Sequence, residues 1–230
     1  MKVAFRSLVV FALCTSGAVA QSRAEANVEH MLALVDTCKT LTQRGAGAPP
    51  PDLSGVGLLT TDATYDVLVE LVSNAFRSRF GTEPVEGRIA PADYGARVAS
   101  SMTNSYQPEN PHLWAGHAFS GDDVALAHVF SKPLPEDDEE NTERGHCEVY
   151  LEGWLRRESA EALTKTVVSD ARNCASRVYE TWSTFECEDY SYPLDTVFLV
   201  EVYDSVTDAA GTAYPSTIKL KLNHEMVVRQ

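Results

Sequence analysis

Side chains able to do chemistry are densest in Pro111-His-Leu-Trp-Ala-Gly-His117, where two imidazoles bracket an indole, with Asp122 and Asp123 just beyond. His112 or His117 acting as a general base, oriented by Asp122 or Asp123, would suit a hydrolase. The same histidines could hold a metal with Glu109, Asp122 or Asp123 as third donor. Their spacing lacks the register of ligands on one helix face, however, so it defines no coordination geometry and no metal or other cofactor is assigned. Other catalytic signatures are missing: the chain has no Gly-x-Ser-x-Gly elbow, phosphate-cradling glycine loop, Gly-x-Gly-x-x-Gly fingerprint or His-Glu-x-x-His pair. Ser216-Thr-Ile-Lys219 matches Ser-x-x-Lys by letter alone. That motif needs both side chains on one helix face, and here the segment reads as a strand.

The remaining histidines have structural readings. His128 sits within an apolar run and is expected to be a hydrogen-bonded core residue, while His30, His146 and His224 flank elements and should meet solvent. The run Pro135-Glu-Asp-Asp-Glu-Glu-Asn-Thr-Glu143 lacks the alternation and central glycine of a calcium loop, and like-charge repulsion makes it a solvated connection. Aromatic residues offer a different chemistry. Trp114, Trp182, Tyr190 and Tyr192 fall at loops and strand ends, and would make a binding patch for a protein, peptide or glycan if they converge. Trp182 to Tyr192, pinned by Cys187, is the favoured segment.

Those side chains work wherever the first twenty residues send them. Lys2 and Arg6 precede the apolar run Leu8 to Cys14, and Ala18 and Ala20 frame a cleavage site, which is the layout of a secretory signal peptide cut after Ala20. The apolar run is too short for about 30 Å of hydrocarbon, so no transmembrane segment is expected. Without Lys2 and Arg6 the net charge of −14 becomes −16, an acidic surface that disfavours nucleic acid and anionic lipid. Cys38, Cys147, Cys174 and Cys187 then form an even set suited to two disulfides. No Cys-x-x-Cys pair argues for redox or zinc chemistry. Three pairings are open, and the preferred one is Cys38 with Cys147, helix to sheet, and Cys174 with Cys187, closing the end of a helix onto the next strand.

The positioning elements follow from periodicity. Val28, Met31, Val35 and Cys38 make one helical face. A second helix starts with Asp62 as N-cap, carries Tyr65, Leu68, Leu71, Val72, Ala75, Phe76 and Phe80 inward, and stops at Gly81. Residues 44–52, with three prolines, form a loop. A short helix over residues 92–103, through Tyr94, Val98 and Met102, is weakened by Gly95. Ser159 is expected to cap a helix running to Ala171 with Leu163 and Val167 inward. Strands are expected over 124–130, 147–152, 179–187, 197–203 and 217–223. In the last, Ile218, Leu220 and Leu222 oppose Thr217, Lys219, Lys221 and Asn223, as in a strand with one wet face.

Helices first and strands later imply an α+β fold: N-terminal helices packed on a mainly antiparallel sheet, disulfide-bonded, in one globular domain over residues 21–230 (helical 23–80, loop-rich 81–123, strand-rich 124–224). The functional expectation is an exported, soluble protein, periplasmic or extracellular, that binds a partner without catalysis, with the bacterial periplasm preferred. The competing class is a secreted hydrolase with its site in residues 111–123.

Overall fold

The computed structural model describes the backbone of residues 25–43, 61–83, 87–103, 113–114, 118–120, 124–131, 142–168, 171–191 and 194–227. Helices α1 (Val28–Gln43), α2 (Thr61–Phe80) and α3 (Pro91–Thr103) come first. They are followed by β1 (Leu113–Trp114), β2 (Ala118–Ser120), β3 (Val124–Ser131), β4 (Thr142–Glu152), α4 (Arg157–Val167), β5 (Asn173–Val178), β6 (Trp182–Ser191), β7 (Leu194–Tyr203), β8 (Val206–Thr207), β9 (Ala213–Tyr214) and β10 (Thr217–Val227). Among the described residues eight strands form one sheet in the order β1-β3-β4-β10-β7-β6-β5, with β2 also on β3, and every pairing between these strands is antiparallel. The fold is therefore α+β, with β10 inserted at the centre and β5 at one edge. Among the described residues no helix is long and apolar enough to cross a membrane.

Alternation along each strand divides the sheet into two faces. Val149, Leu151, Phe185, Phe198, Val200, Val202, Ile218, Leu220 and Leu222 point to one face and are buried against Met31, Leu34 and Val35 of α1 and Leu163 and Val167 of α4. Phe185 and Phe198 are almost fully enclosed, each contributing about 2–3 kcal/mol of hydrophobic stabilisation. On the opposite face, Tyr150 packs with Leu68, Leu71 and Val72 of α2 and Ala99 of α3. A wet face on β10 is thus replaced by a covered one: Thr217 is buried, and the Lys219 and Lys221 side chains are only 17% and 29% exposed. Strand alternation reveals which residues share a face, but a helix from another part of the chain decides whether that face meets water.

Both preferred disulfides are present. Cys38–Cys147 joins α1 to β4 and closes 109 residues, while Cys174–Cys187 closes 13. Chain-entropy estimates are about 4.7 kcal/mol for a loop of the first size and about 3 kcal/mol for the second. The second bridge links two strands instead of a helix end and a strand, because α4 stops at Val167 and residues 173–178 form the unanticipated strand β5. Cys174 faces Cys187 directly across the β5–β6 ladder with Cα atoms 4.2 Å apart.

Several element ends also differ. Asn27 caps α1, its Oδ1 accepting from the N–H groups of Glu29 and His30. Thr61, ahead of Asp62, begins α2. Gly81 ends that helix at φ +94° with its N–H on Arg77 O. Phe80, expected inward, is 42% exposed because the last turn runs past the sheet-facing stripe. Arg156 precedes α4 without a side-chain cap, and Ser159 lies inside the helix. Gly95 has a positive role: a Cβ there would come within 2.4 Å of Val69 O, so glycine lets α3 press against α2. The buried α3 face consequently runs through Gly95 and Ala99, leaving Tyr94 outside it at 36% exposed.

Candidate functional site

The α2 face of the sheet carries a polar network centred on Glu148. Its Oε1 lies 3.0 Å from His146 Nε2, 3.2 Å from Lys219 Nζ and 3.5 Å from Lys221 Nζ, and its Oε2 accepts from the Tyr150 hydroxyl at 3.1 Å. Burial opposes ionisation of Glu148, yet the His146 hydrogen bond and the two lysines outweigh it and lower its pKa to about 2. Burial and the adjacent Glu148 carboxylate raise the Tyr150 pKa far above its usual value. Lys219 reaches on to Glu201 at 3.8 Å, and Glu201 hydrogen-bonds the Tyr203 hydroxyl, which also meets the Arg79 guanidinium. Tyr203 is held protonated by burial first and by Glu201 second. Replacing such a network by apolar packing often costs little, whereas removing one partner leaves a buried charge uncompensated and is costly.

Arg79 is where this network reaches the surface. It projects from the last turn of α2, whose end is clamped to the β5–β6 turn by reciprocal bonds: Ser78 Oγ donates to Thr181 O at 2.6 Å, and Thr181 Oγ1 donates to Ser78 O. The clamp sets the Arg79 guanidinium 4.3 Å from the Trp182 ring centre and 5.2 Å from that of Phe80. Trp182 stacks on Tyr179 at 4.1 Å and lies 6.1 Å from Tyr203. Phe80 contacts Phe76, Phe76 contacts Tyr94, and Arg88 covers Phe80 from 5.2 Å. Tyr179, Phe80, Ile89 and Tyr94 all remain substantially exposed. An acidic chain therefore displays two exposed aromatic groups at the junction of α2, α3 and the β5–β6 turn, Phe80 with Tyr94 over buried Phe76 and Tyr179 with Trp182, bridged by Arg79.

Trp182 is the one expected binding residue that this surface includes. Tyr190 is 49% exposed and hydrogen-bonds Glu188, but it lies eight residues along β6, roughly 26 Å away at the usual strand rise. Trp114 occupies β1 opposite Phe130, at the far edge of the sheet, while Tyr192 lies outside the described residues. His112, His117, Asp122, Asp123, Glu109 and the acidic run over 135–141 are also outside them. Among the described residues no group of three His, Cys, Asp or Glu side chains could hold a metal ion. His128 lies opposite Cys147 in the β3–β4 register. His30 is exposed and His146 about one-third exposed, whereas His224, expected in solvent, is buried and shares a hydrogen bond with Thr196. Burial, helped by Lys39, lowers the His224 pKa to about 4.

Sequence reading missed Arg79, Phe80, Tyr94 and Tyr179. One local signal was available: Tyr179 and Trp182 flank Glu180-Thr181, a two-residue hairpin turn that sets the two rings across from each other. Nothing local announces that α2 ends beside that turn. Comparison of the chain with protein-family models, curated proteins and solved structures gave no match.

Proposed function

We propose that the protein is an exported, soluble binding module of the bacterial periplasm, acting without catalysis, and that its partner docks on the arginine-held aromatic surface around Trp182. Export rests on the basic, apolar and small-residue layout of Met1 to Ala20, with cleavage after Ala20. Two disulfides fit an oxidising compartment.

The observation carrying the binding reading is Arg79 lying between the Phe80 and Trp182 rings. A guanidinium stacked on rings presents its N–H edge sideways, and Arg79, with one position on the Tyr203 hydroxyl, keeps its other donors for a carboxylate, sulfate or phosphate, while exposed Tyr179 and Tyr94 supply flat apolar surface beside it. The partner that fits is a protein, peptide or glycan presenting an acidic group next to a ring or other flat apolar face. The negative net charge of the chain repels an acidic partner at long range, so the arginines of this patch must supply the local attraction.

Titrating the disulfide-bonded protein with oligouronates and with acidic, tyrosine-containing peptides, followed by tryptophan fluorescence, tests the reading. A saturable change that disappears in Trp182→Ala and Arg79→Ala and weakens with salt is expected. Equal responses in wild type and both variants would refute it. The His112→Ala/His117→Ala double variant should bind normally; turnover by the wild type that this variant loses would instead establish the hydrolase.

A further inference from the structure

The aromatic surface leaves the neighbouring sheet edge unexplained. All six residues of β5 are exposed, and no described strand pairs with its outer side. Tyr179 N–H donates to Trp182 O, so alternation along the antiparallel ladder turns the backbone groups of Asn173, Ala175 and Arg177 toward β6. Cys174, Ser176 and Val178 therefore aim three N–H and three C=O groups outward. Such an edge invites strand addition unless proline, charge or a bulge blocks it, and Asn173-Cys-Ala-Ser-Arg-Val178 has no proline and a single charge, Arg177.

We propose that β5 pairs with β5 of a second copy of this chain, antiparallel about a two-fold axis midway between the two Ser176 residues, making one sheet continuous across both copies. In that register Cys174, Ser176 and Val178 bond Val178, Ser176 and Cys174 of the second copy, using every outward backbone group. The axis is perpendicular to the sheet, so like faces lie on the same side. Arg177 of each copy then stands opposite Ala175 of the other. Above Ala175 is a hollow of about 260 Å³ walled by Glu186, Glu188 and Arg172, whose two carboxylates and one guanidinium leave a single negative charge. An arginine reaching across the small Ala175 side chain neutralises it. On the opposite face Val178, 60% exposed, meets Cys174 of the second copy, and Ser176, whose Oγ accepts from Arg157 Nη2 at 3.4 Å, meets its own equivalent. The backbone and the Arg177–Ala175 face are thus self-complementary, which a two-fold contact requires. The pairing would also place the two Tyr179 rings on one side, roughly 20 Å apart along the strand direction.

Light scattering on the disulfide-bonded protein at tens of micromolar should give twice the chain mass. Ser176→Pro removes an outward N–H and the exposed Arg157 contact to Ser176 Oγ, neither of which holds β5 to β6, so it should yield monomers with unchanged far-UV circular dichroism. Arg177→Glu should raise the dimer dissociation constant at least tenfold, and mixing it with Glu186→Arg should restore association. Ser176→Cys should form a reducible covalent dimer, which keeps the test decisive if the proline variant does not fold. A monomeric wild type, or a dimer indifferent to these changes without Ser176→Cys cross-linking, would overturn the proposal. Because the readout is mass, its failure is distinct from failure of ligand binding at Trp182.

Discussion

Ile218, Leu220 and Leu222 of β10 enter a dry core under α1 and α4, whereas Lys219 and Lys221, one residue out of step, share Glu148 on the α2 face. The first face is held by apolar burial and the Cys38–Cys147 bridge. The second spends charged groups on a chain of contacts from Glu148 through Lys219, Glu201 and Tyr203 to Arg79. One face stabilises; the other stabilises less per group but orients a surface arginine. Stability measurements should therefore separate the faces by mechanism, and binding measurements by location.

Opening the Cys38–Cys147 bridge in Cys38→Ala/Cys147→Ala should have the largest effect, about 4–5 kcal/mol of unfolding free energy in urea melts. A loss near zero would show that α1 needs no covalent hold. Glu148→Ala should cost about 3 kcal/mol, because Lys219 and Lys221 lose their shared carboxylate in a mostly buried site. Adding Lys219→Met should recover part of that loss, which a purely apolar role for this face would not permit.

Acid should act on the two faces in different windows. His224, on the α1 side, has a folded pKa of about 4 against 6.5 unfolded, so the unfolded chain takes the proton first. Its contribution is intact above pH 6.5 and falls by up to about 3 kcal/mol as the pH approaches 4. Glu148 has a folded pKa near 2 against 4.5, so its stabilisation persists above 4.5 and disappears between 4.5 and 2, a change of similar size. Urea midpoints against pH should bend twice, and His224→Phe should remove the upper bend alone. Arg79→Ala should change stability least, by less than about 1 kcal/mol, since the side chain is exposed.

Much of the dry face was readable from the chain, because Met31, Val35 and Cys38 recur at helical spacing and Cys147, Val149 and Leu151 at strand spacing. Those periods also pointed to the disulfide partners. Strand β5 was not readable: Asn173-Cys-Ala-Ser-Arg-Val178 lacks alternation and has one strong strand former, Val178, and it is held by pairing with β6 and the Cys174–Cys187 bridge. The candidate site was legible only at Trp182. Its arginine and phenylalanine arrive from α2, about one hundred residues earlier, through the Ser78–Thr181 clamp, and no local pattern encodes a contact of that range. Gly95 shows the opposite error, where local propensity counted against a helix that tertiary packing requires.

Partner capture from envelope extract at low salt, comparing the wild type with Trp182→Ala, Arg79→Ala and His112→Ala/His117→Ala, tests the binding assignment most directly. The account predicts that one partner is retained by the wild type and the histidine variant and reduced at least tenfold by either change in the aromatic surface, with all four proteins equally folded. Undiminished capture by Trp182→Ala and Arg79→Ala would contradict it.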